Sequence, residues 1–532
     1  MNKIEAIKEL LTLNIKSRND LNLAKRRIAK KFSLPIFTNA EILKTYKKLL
    51  FAGAIHELPL QVRILRKRAI RTLSGIAPVA VLTKPYPCPG KCVYCPTEKD
   101  VPQSYLSNEP AVMRAIRCNY DPYIQVQDRL KALIANGHNP EKIELIVIGG
   151  TWSVLPKNYK YWYVANLFAG ANEFELKVKS EKLKVNKNQS IAEFKRILLY
   201  QQRVNEKAKY KIIGLTLETR PDYIDEKEIL EMRELGCTRV EIGVQQIDDK
   251  ILEINKRGHG VKEIVEATKR LKDYGLKVTY HIMPGLPGST ALKDYKMYQR
   301  LFSDEKFQPD QIKFYPTVVT RGSLLYRWWQ AGKYKPYPQK SLEDLIVKCK
   351  KITPKYVRII RLIRDIPRES IVAGNRITNL RQVMQKRGAK CVCIRCREAR
   401  ELIIKNYELK IINYKASGGV EYFISYESKD GKTLFGFCRL RLISPKAKQV
   451  TPNILKNSAL IRELHVYGEL VPPGGRKKVQ HAGLGKKLMA EAERIAKENG
   501  HKKMAVISGI GVRDYYRKLG YRLKDTYMVK NI

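Results

Sequence analysis

Short apolar runs alternate with amphipathic stretches through the middle of the chain, a repeated switch between a two-residue and a 3.6-residue period. The runs Ile143–Ile148, Ile212–Leu217, Arg239–Val244, Lys277–Ile282, Gln311–Tyr315 and Tyr356–Ile360 have strand length and composition. Between them, Asp225–Leu235 and Lys262–Tyr274 gather their apolar residues on one helical face. Strand then helix, repeated, predicts βα units around a parallel sheet over residues 76–365, long enough for a full or partial barrel. Chemistry in such a barrel belongs at the C-terminal ends of its strands. Residues 1–75 show helical spacing instead, and 366–410 is irregular and reads as a linker. From 411 to 532 a hairpin is expected from Val420–Tyr426 and Thr433–Leu442 around Asp430-Gly431. A strand at Ile461–Tyr467, a helix at Gly485–Asn499, a strand at Met504–Ile507 and a short helix around Tyr515 complete a second, separate α/β domain.

Charge adds a partner to this outline. The chain carries 102 Lys and Arg against 52 Asp and Glu, a net charge of +50 spread over its whole length. A large polyanion is the expected partner, and nucleic acid fits better than a membrane surface, because the excess is not confined to one amphipathic helix. The basic helical region supplies much of it: residues 1–71 hold 17 Lys or Arg and five acids. Lys25, Arg26 and Arg27 recur one turn from Lys30 and Lys31, as Arg63 does from Arg66, Lys67 and Arg68, so cations stack where phosphates could reach them; a merely solvated face is the alternative. No stretch approaches the roughly 18 apolar residues that span a bilayer, and the charged first residues lack an apolar leader core, so a cytoplasmic protein is expected.

Six of the ten cysteines fall in two tight clusters, which in a reducing compartment reads as metal ligation rather than a disulfide framework. Cys88, Cys92 and Cys95 have the spacing Cys-x3-Cys-x2-Cys on a loop containing Pro89 and Gly90. Three thiolates on one loop can hold three irons of a [4Fe-4S] cluster and leave the fourth open. A zinc site short of a ligand is the alternative. The loop resembles the signature of the radical S-adenosylmethionine superfamily. That resemblance implies a radical SAM (βα) barrel and S-adenosylmethionine as cofactor. It places Gly149, Gly150 and Thr151, then Glu218 and Gln245, at strand ends facing S-adenosylmethionine. His281 also ends a strand at the mouth, as a structural histidine or a cofactor contact. The second cluster, Cys391, Cys393 and Cys396, suits a structural zinc ion with an unnamed fourth ligand, Cys349 or a histidine being candidates.

In the last domain, Gln480-His481-Ala482-Gly483-Leu484-Gly485-Lys486 opens the Gly485–Asn499 helix. Glycines at a helix start turn backbone N–H groups toward a pyrophosphate. This stretch resembles the acetyl-coenzyme A motif of GCN5-related acetyltransferases, and the run Asp514–Tyr521 lies where that family presents a tyrosine to the thioester sulfur, making Tyr515 and Tyr516 the catalytic candidates.

The two signatures in one chain resemble the family of the catalytic subunit of Elongator, over nearly the whole length, including Tyr105–Arg117, Arg364-Asp365-Ile366-Pro367, Arg462–Gly468 and Ala505–Gly509. The first cysteine gap is shorter here than in eukaryotic members. The resemblance implies that Lys142, Glu463, Leu464, His465, Val466, Leu484, Gly485, Lys486 and Tyr516 contact acetyl-coenzyme A. It implies an enzyme that carboxymethylates position 5 of the tRNA wobble uridine. In the family mechanism a radical from S-adenosylmethionine takes hydrogen from the acetyl methyl, the carbon adds to the base, and hydrolysis frees the carboxylate. A lysine acetyltransferase and an RNA-binding scaffold are the competing readings; the oligomeric state and any accessory subunits are left open.

Overall fold

The alternating middle of the chain forms seven parallel strands, β1 (Ala77–Leu82), β2 (Lys142–Ile148), β3 (Lys211–Thr219), β4 (Arg239–Gln245), β5 (Lys277–Ile282), β6 (Gln311–Phe314) and β8 (Arg358–Arg361), paired in sequence order. β1 and β8 remain edges, so the barrel is partial. The computed structural model describes residues 2–51, 64–65, 75–175, 190–377, 379–399, 406–443, 453–468 and 483–532. Helices cover the outer face of the sheet: Val261–Asp273 turns Ile264, Ala267, Thr268 and Leu271 inward and leaves Lys262 and Arg270 outside. A two-stranded ladder of β7 (Val319–Thr320) and β9 (Ile371–Ala373) stands apart. The expected strands and helices in this region all form, with ends shifted by a residue or two; β1 is additional, its apolar pattern interrupted by Pro78.

The inner face of the barrel is polar. Arg239 Nη1 lies 3.1 Å from Glu144 Oε1, and Arg239 Nη2 3.7 Å from Glu241 Oε1. Glu241 also takes Lys313, and accepts from His281 Nε2 at 2.8 Å. Burial pushes the Glu241 carboxyl up, but Lys313, His281 and Arg239 outweigh it and hold it well below the usual range.

The C-terminal domain is a second seven-stranded sheet, ordered β10 (Tyr407–Ala416), β11 (Gly419–Ser428), β12 (Leu434–Ile443), β13 (Ser458–Val466), β14 (Lys503–Val506), β16 (Tyr527–Asn531) and β15 (Arg522–Lys524). The hairpin β11–β12 and the helix Leu484–Glu498 match expectation; β10, β15 and β16 are additional, and β10 begins inside the stretch read as linker. Only β13 and β14 run parallel, and they pair from Ser458 to Ile461 alone. β14 ends at Val506, opposite Ile461, so the Arg462–Val466 half of β13 has no strand partner on that side.

This sheet docks on the N-terminal ends of the barrel strands through buried ion pairs. Arg462, fully buried, reaches Asp310 at 2.5 Å and Glu421 at 2.9 Å, while Arg441 reaches Asp273 at 2.5 Å. The linker adds Arg358 to Glu398 at 2.8 Å and a backbone bond from Ala399 N to Leu434 O at 2.9 Å. At the other terminus, helices Asn2–Thr12, Arg18–Lys31 and Asn39–Phe51 enclose their own apolar core, the second opened by a Ser17/Asp20 capping box. Among the described residues no helix is long and apolar enough to cross a membrane.

Candidate active sites

The Cys88–Cys95 loop leaves the C-terminal end of β1. Cys92 is buried and hydrogen-bonded to Cys95, whereas Cys88 turns to Thr151, its Sγ 3.6 Å from Oγ1. Arg257 closes over the loop, donating from Nη1 to Cys92 Sγ at 3.1 Å and to Tyr94 Oη at 3.0 Å. The Cys95 contact, then Arg257 and Arg220, hold the Cys92 thiol down to about 5 against its burial, so Cys92 is the thiolate of the pair. Gly90 leaves room for Arg220: a Cβ there would stand 2.5 Å from Nη1, a buried nitrogen with no partner. Three cysteine sulfurs under two guanidinium groups fit an anionic cluster.

Gly149, Gly150 and Thr151 follow β2 beside this loop. Gly149 takes φ +134° and a Cβ would lie 2.2 Å from Thr83 Oγ1; Gly150 takes φ +100°. Only glycine tolerates these angles. Gln245 ends β4 at φ +66°, strained for a residue with a side chain, and its buried Oε1 has no partner. That orphaned acceptor, at the mouth and next to the loop held by Arg257, fits a polar ligand. Glu218 accepts from Tyr105 Oη at 3.1 Å and faces His281 Nδ1 at 3.5 Å. His281 thus bridges Glu218 and Glu241, a placement that favours the structural role. Arg257 was missed by the sequence reading; its signal was the compact Arg257-Gly258-His259-Gly260 run.

The second site lies along the half of β13 beyond the end of β14. Gly483 caps the helix Leu484–Glu498 at φ +74°. A Cβ on Gly485 would stand 2.6 Å from Tyr515 Oη and 3.8 Å from Val466 Cγ2, so only glycine lets the tyrosine hydroxyl reach the helix start. Tyr515 is half-buried and its Oη makes no hydrogen bond; burial pushes the phenol up to about 12. Tyr516 instead packs into the core with Leu488, Met489 and Tyr521. Along β13, Leu464 and Val466 pack with the helix core, while Glu463 and His465 turn to the barrel. Lys277 and Arg439 hold Glu463 down to about 2 despite its burial, and burial lowers His465 to about 4 beside Phe437 and Tyr467. Lys142 opens β2 opposite Lys211, whose side chain Gly511 abuts, which puts Lys142 on the rim nearest this domain. Lys486 is exposed; Gln480 lies outside the described residues.

The sulfurs of Cys391, Cys393 and Cys396 lie within 4.8 Å of one another, the one such group of three among the described residues. Hydrogen bonds from Cys391 and Cys396 keep Cys393 as thiolate. This is a single-ion geometry and fits zinc. Cys349 and the histidines fall outside the group, so neither suggested fourth ligand is placed there.

In the N-terminal region Arg26, Arg27 and Lys30 are exposed, but Lys25 is 7% exposed and bonded to Asn39, so it is not part of the outward cationic face. Arg63, Arg66, Lys67 and Arg68 lie outside the described residues.

The sequence matches the Radical SAM superfamily over residues 86–294 and the Radical_SAM C-terminal domain over residues 309–389. It is 43% identical over 517 residues to the tRNA uridine(34) acetyltransferase of Methanocaldococcus infernus, covering 93% of this chain and 91% of that protein. It is 37% identical over 556 residues to Elongator complex protein 3 of Homo sapiens, covering 99% and 96% respectively. Among solved structures, the archaeal Methanocaldococcus infernus Elp3 with an N-terminal deletion (1–46) superposes with a TM-score of 0.71 at 40% identity, covering 86% of this chain and 100% of that one.

Proposed function

Because the chain belongs to the family of Elongator complex protein 3 and the tRNA uridine(34) acetyltransferases, we propose that it forms 5-carboxymethyluridine at the wobble position of tRNA, with acetyl-coenzyme A as carbon donor. The observation that carries this reading is the pairing of two sites in one chain whose domains meet through buried ion pairs. A thiolate loop under Arg257 and Arg220 sits at one end of the barrel, and a glycine-opened helix facing Tyr515 sits on the domain at the other.

Cys88, Cys92 and Cys95 would hold a [4Fe-4S] cluster, which with S-adenosylmethionine supplies hydrogen abstraction from an unactivated carbon. The chain's own residues do the positioning. Gly149 and Gly150 bring the backbone close to the loop, and Gln245 offers its unpaired carbonyl to an amino or hydroxyl group. Tyr105 and His281 fix the Glu218 carboxylate from two sides. At the other site the first turn of the Leu484–Glu498 helix offers backbone N–H groups to a pyrophosphate, and Gly485 keeps the Tyr515 hydroxyl at that turn, positioned to donate to a thioester sulfur. Glu463, already ion-paired, contributes through its backbone or not at all. Cys391, Cys393 and Cys396 would hold zinc as a staple between the last barrel strand and the C-terminal sheet.

The charge of +50 suits a folded RNA, and a flipped anticodon base suits a recessed barrel mouth. The deciding experiment is anaerobic incubation with tRNA, S-adenosylmethionine, acetyl-coenzyme A and reductant, followed by nucleoside mass spectrometry. A carboxymethyl group on uridine that depends on all four components is expected. Unmodified tRNA alongside turnover of acetyl-coenzyme A onto lysine peptides would overturn the proposal.

A further inference from the structure

Between Asp310 and Glu343 the chain holds no acid, six Lys or Arg, and the aromatic run Tyr326-Arg327-Trp328-Trp329. This stretch is built onto the cysteine loop. The helix Leu324–Gln330 starts with Leu325 N donating to Val93 O at 2.8 Å, and Thr97 N donates to Gly322 O at 3.3 Å. Gly322 takes φ +77° with its Cβ position 3.0 Å from Thr97 O, so the approach is as close as backbone allows. Leu325 and Tyr334 are buried with Cys92, Val93 and Tyr94, and Tyr326, Trp328 and Trp329 pack against that core only in part.

The aromatic side chains divide by partner. Tyr334 donates to Gly285 O and Tyr337 to Asp294, each at 2.7 Å, so these two lock the segment inward. Tyr326, Trp328 and Trp329 stay half-buried, with the Tyr326 and Trp329 rings stacked at 6.0 Å and 25°. Around them Arg321, Arg327, Lys333 and Lys335 are exposed, and none is ion-paired to a described carboxylate. Rigid aromatic faces ringed by unpaired cations, beside a reaction site, are the equipment of a single-strand nucleic-acid platform: bases stack on rings while cations follow the backbone.

We infer that the helix Leu324–Gln330 is a stacking platform for unpaired RNA bases next to the cysteine loop, with Trp329 as its main face and Arg321 and Arg327 on the phosphates. This rests on RNA being the substrate. It adds how the strand flanking the reacting base is held, through π-faces and not through charge alone.

The chain has four tryptophans, and Trp152 and Trp162 are 3% and 6% exposed, so emission that responds to a ligand reports on Trp328 and Trp329. The full chain is titrated with an anticodon stem–loop RNA and, separately, with a blunt RNA duplex. Quenching by the stem–loop and not by the duplex is expected. Trp329→Ala should weaken stem–loop binding roughly five- to 150-fold, the range for one lost base stack, at an unchanged log–log salt slope. Trp329→Phe, which keeps a ring, should stay within about threefold of the parent. Arg327→Ala should instead flatten the salt slope by about 0.7 to 0.9. Stem–loop binding with no change in emission, or undiminished in Trp329→Ala, overturns the platform while leaving RNA as substrate. A parent protein that binds neither RNA overturns both. The emission experiment needs no variant, so a Trp329→Ala protein that fails to fold does not shield the inference.

Discussion

The docking of the C-terminal domain makes a demanding test of the buried charges. Lys272, Arg439, Arg441 and Arg462 meet Asp273, Asp310, Glu421 and Glu463, four cations and four carboxylates, all with side chains 0–9% exposed. Arg462 is central: Nη2 lies 2.5 Å from Asp310 Oδ2 and donates to Leu276 O at 2.8 Å, while Nη1 lies 2.9 Å from both Glu421 oxygens. Arg462→Met keeps most of the volume and removes one charge, leaving a net negative excess away from water. Breaking a buried pair on one side costs about 3–5 kcal/mol, against about 0–1 kcal/mol for a surface pair. The variant should therefore lose about 3–5 kcal/mol in urea unfolding, with little dependence on salt, because screening does not reach the site.

The double variant Arg462→Met with Glu421→Gln restores neutrality, and should be more stable than the sum of the single losses by about 1–3 kcal/mol. Acid adds an independent arm. Burial pushes the Asp310 carboxyl up, but Arg462, Lys272 and Arg439 outweigh it and hold it well below its ordinary value. A carboxyl depressed in the folded state adds stability that is present above the unfolded pKa, near 4, and is lost as pH falls through the folded value. Without Arg462 that acid loss should begin at higher pH. A loss under about 1 kcal/mol, strict additivity, or strong salt dependence would refute this account of the interface.

Three further outcomes follow from the sites. Tyr515→Phe should cut acetyl-coenzyme A turnover without lowering thermal stability, since its buried Oη has no partner to lose, whereas Tyr516→Phe should leave turnover near the parent's; both are read by thiol release and a melting curve. Cys92→Ala should abolish both the iron–sulfur absorbance of reconstituted protein and cleavage of S-adenosylmethionine, and a variant retaining the parent's absorbance would count against the cluster assignment. Cys393→Ser should lower bound zinc toward zero by metal analysis while sparing the iron, and should destabilise the link between β8 and the C-terminal sheet.

Period and spacing carried most of the fold. Each barrel strand that alternates with an amphipathic helix was legible, because both faces of a parallel sheet are covered and the helices must show one apolar face. The strands that escaped notice break that rule. β1 contains Pro78, β10 is an edge strand whose charged residues face water, and β15, three residues long, is exposed throughout. Whether the barrel closes was not legible either. That depends on β1 meeting β8, strands separated by most of the domain, and no local pattern reports it.

The sites were legible where the backbone itself needs a particular residue, and obscure where a side chain acts from a distance. Gly149, Gly150, Gly483 and Gly485 stand out because positive φ or a close approach favours glycine, and the cysteines stand out by spacing. Arg257 sits far in sequence from Cys92, on the turn after the α-helix Asp249–Ile254, and reaches the thiolate only once β4 and its crossover have folded back over the mouth. The same holds for Glu463 and His465. They read as neighbours of Leu464 and Val466 in one motif, yet the alternation of a strand sends them to opposite faces, so Glu463 serves the domain interface while Val466 lines the helix start. The Lys25 assignment failed for a related reason: helical spacing says which residues share a face, and it does not say which face meets solvent until Asn39, on the next helix, takes the ammonium group.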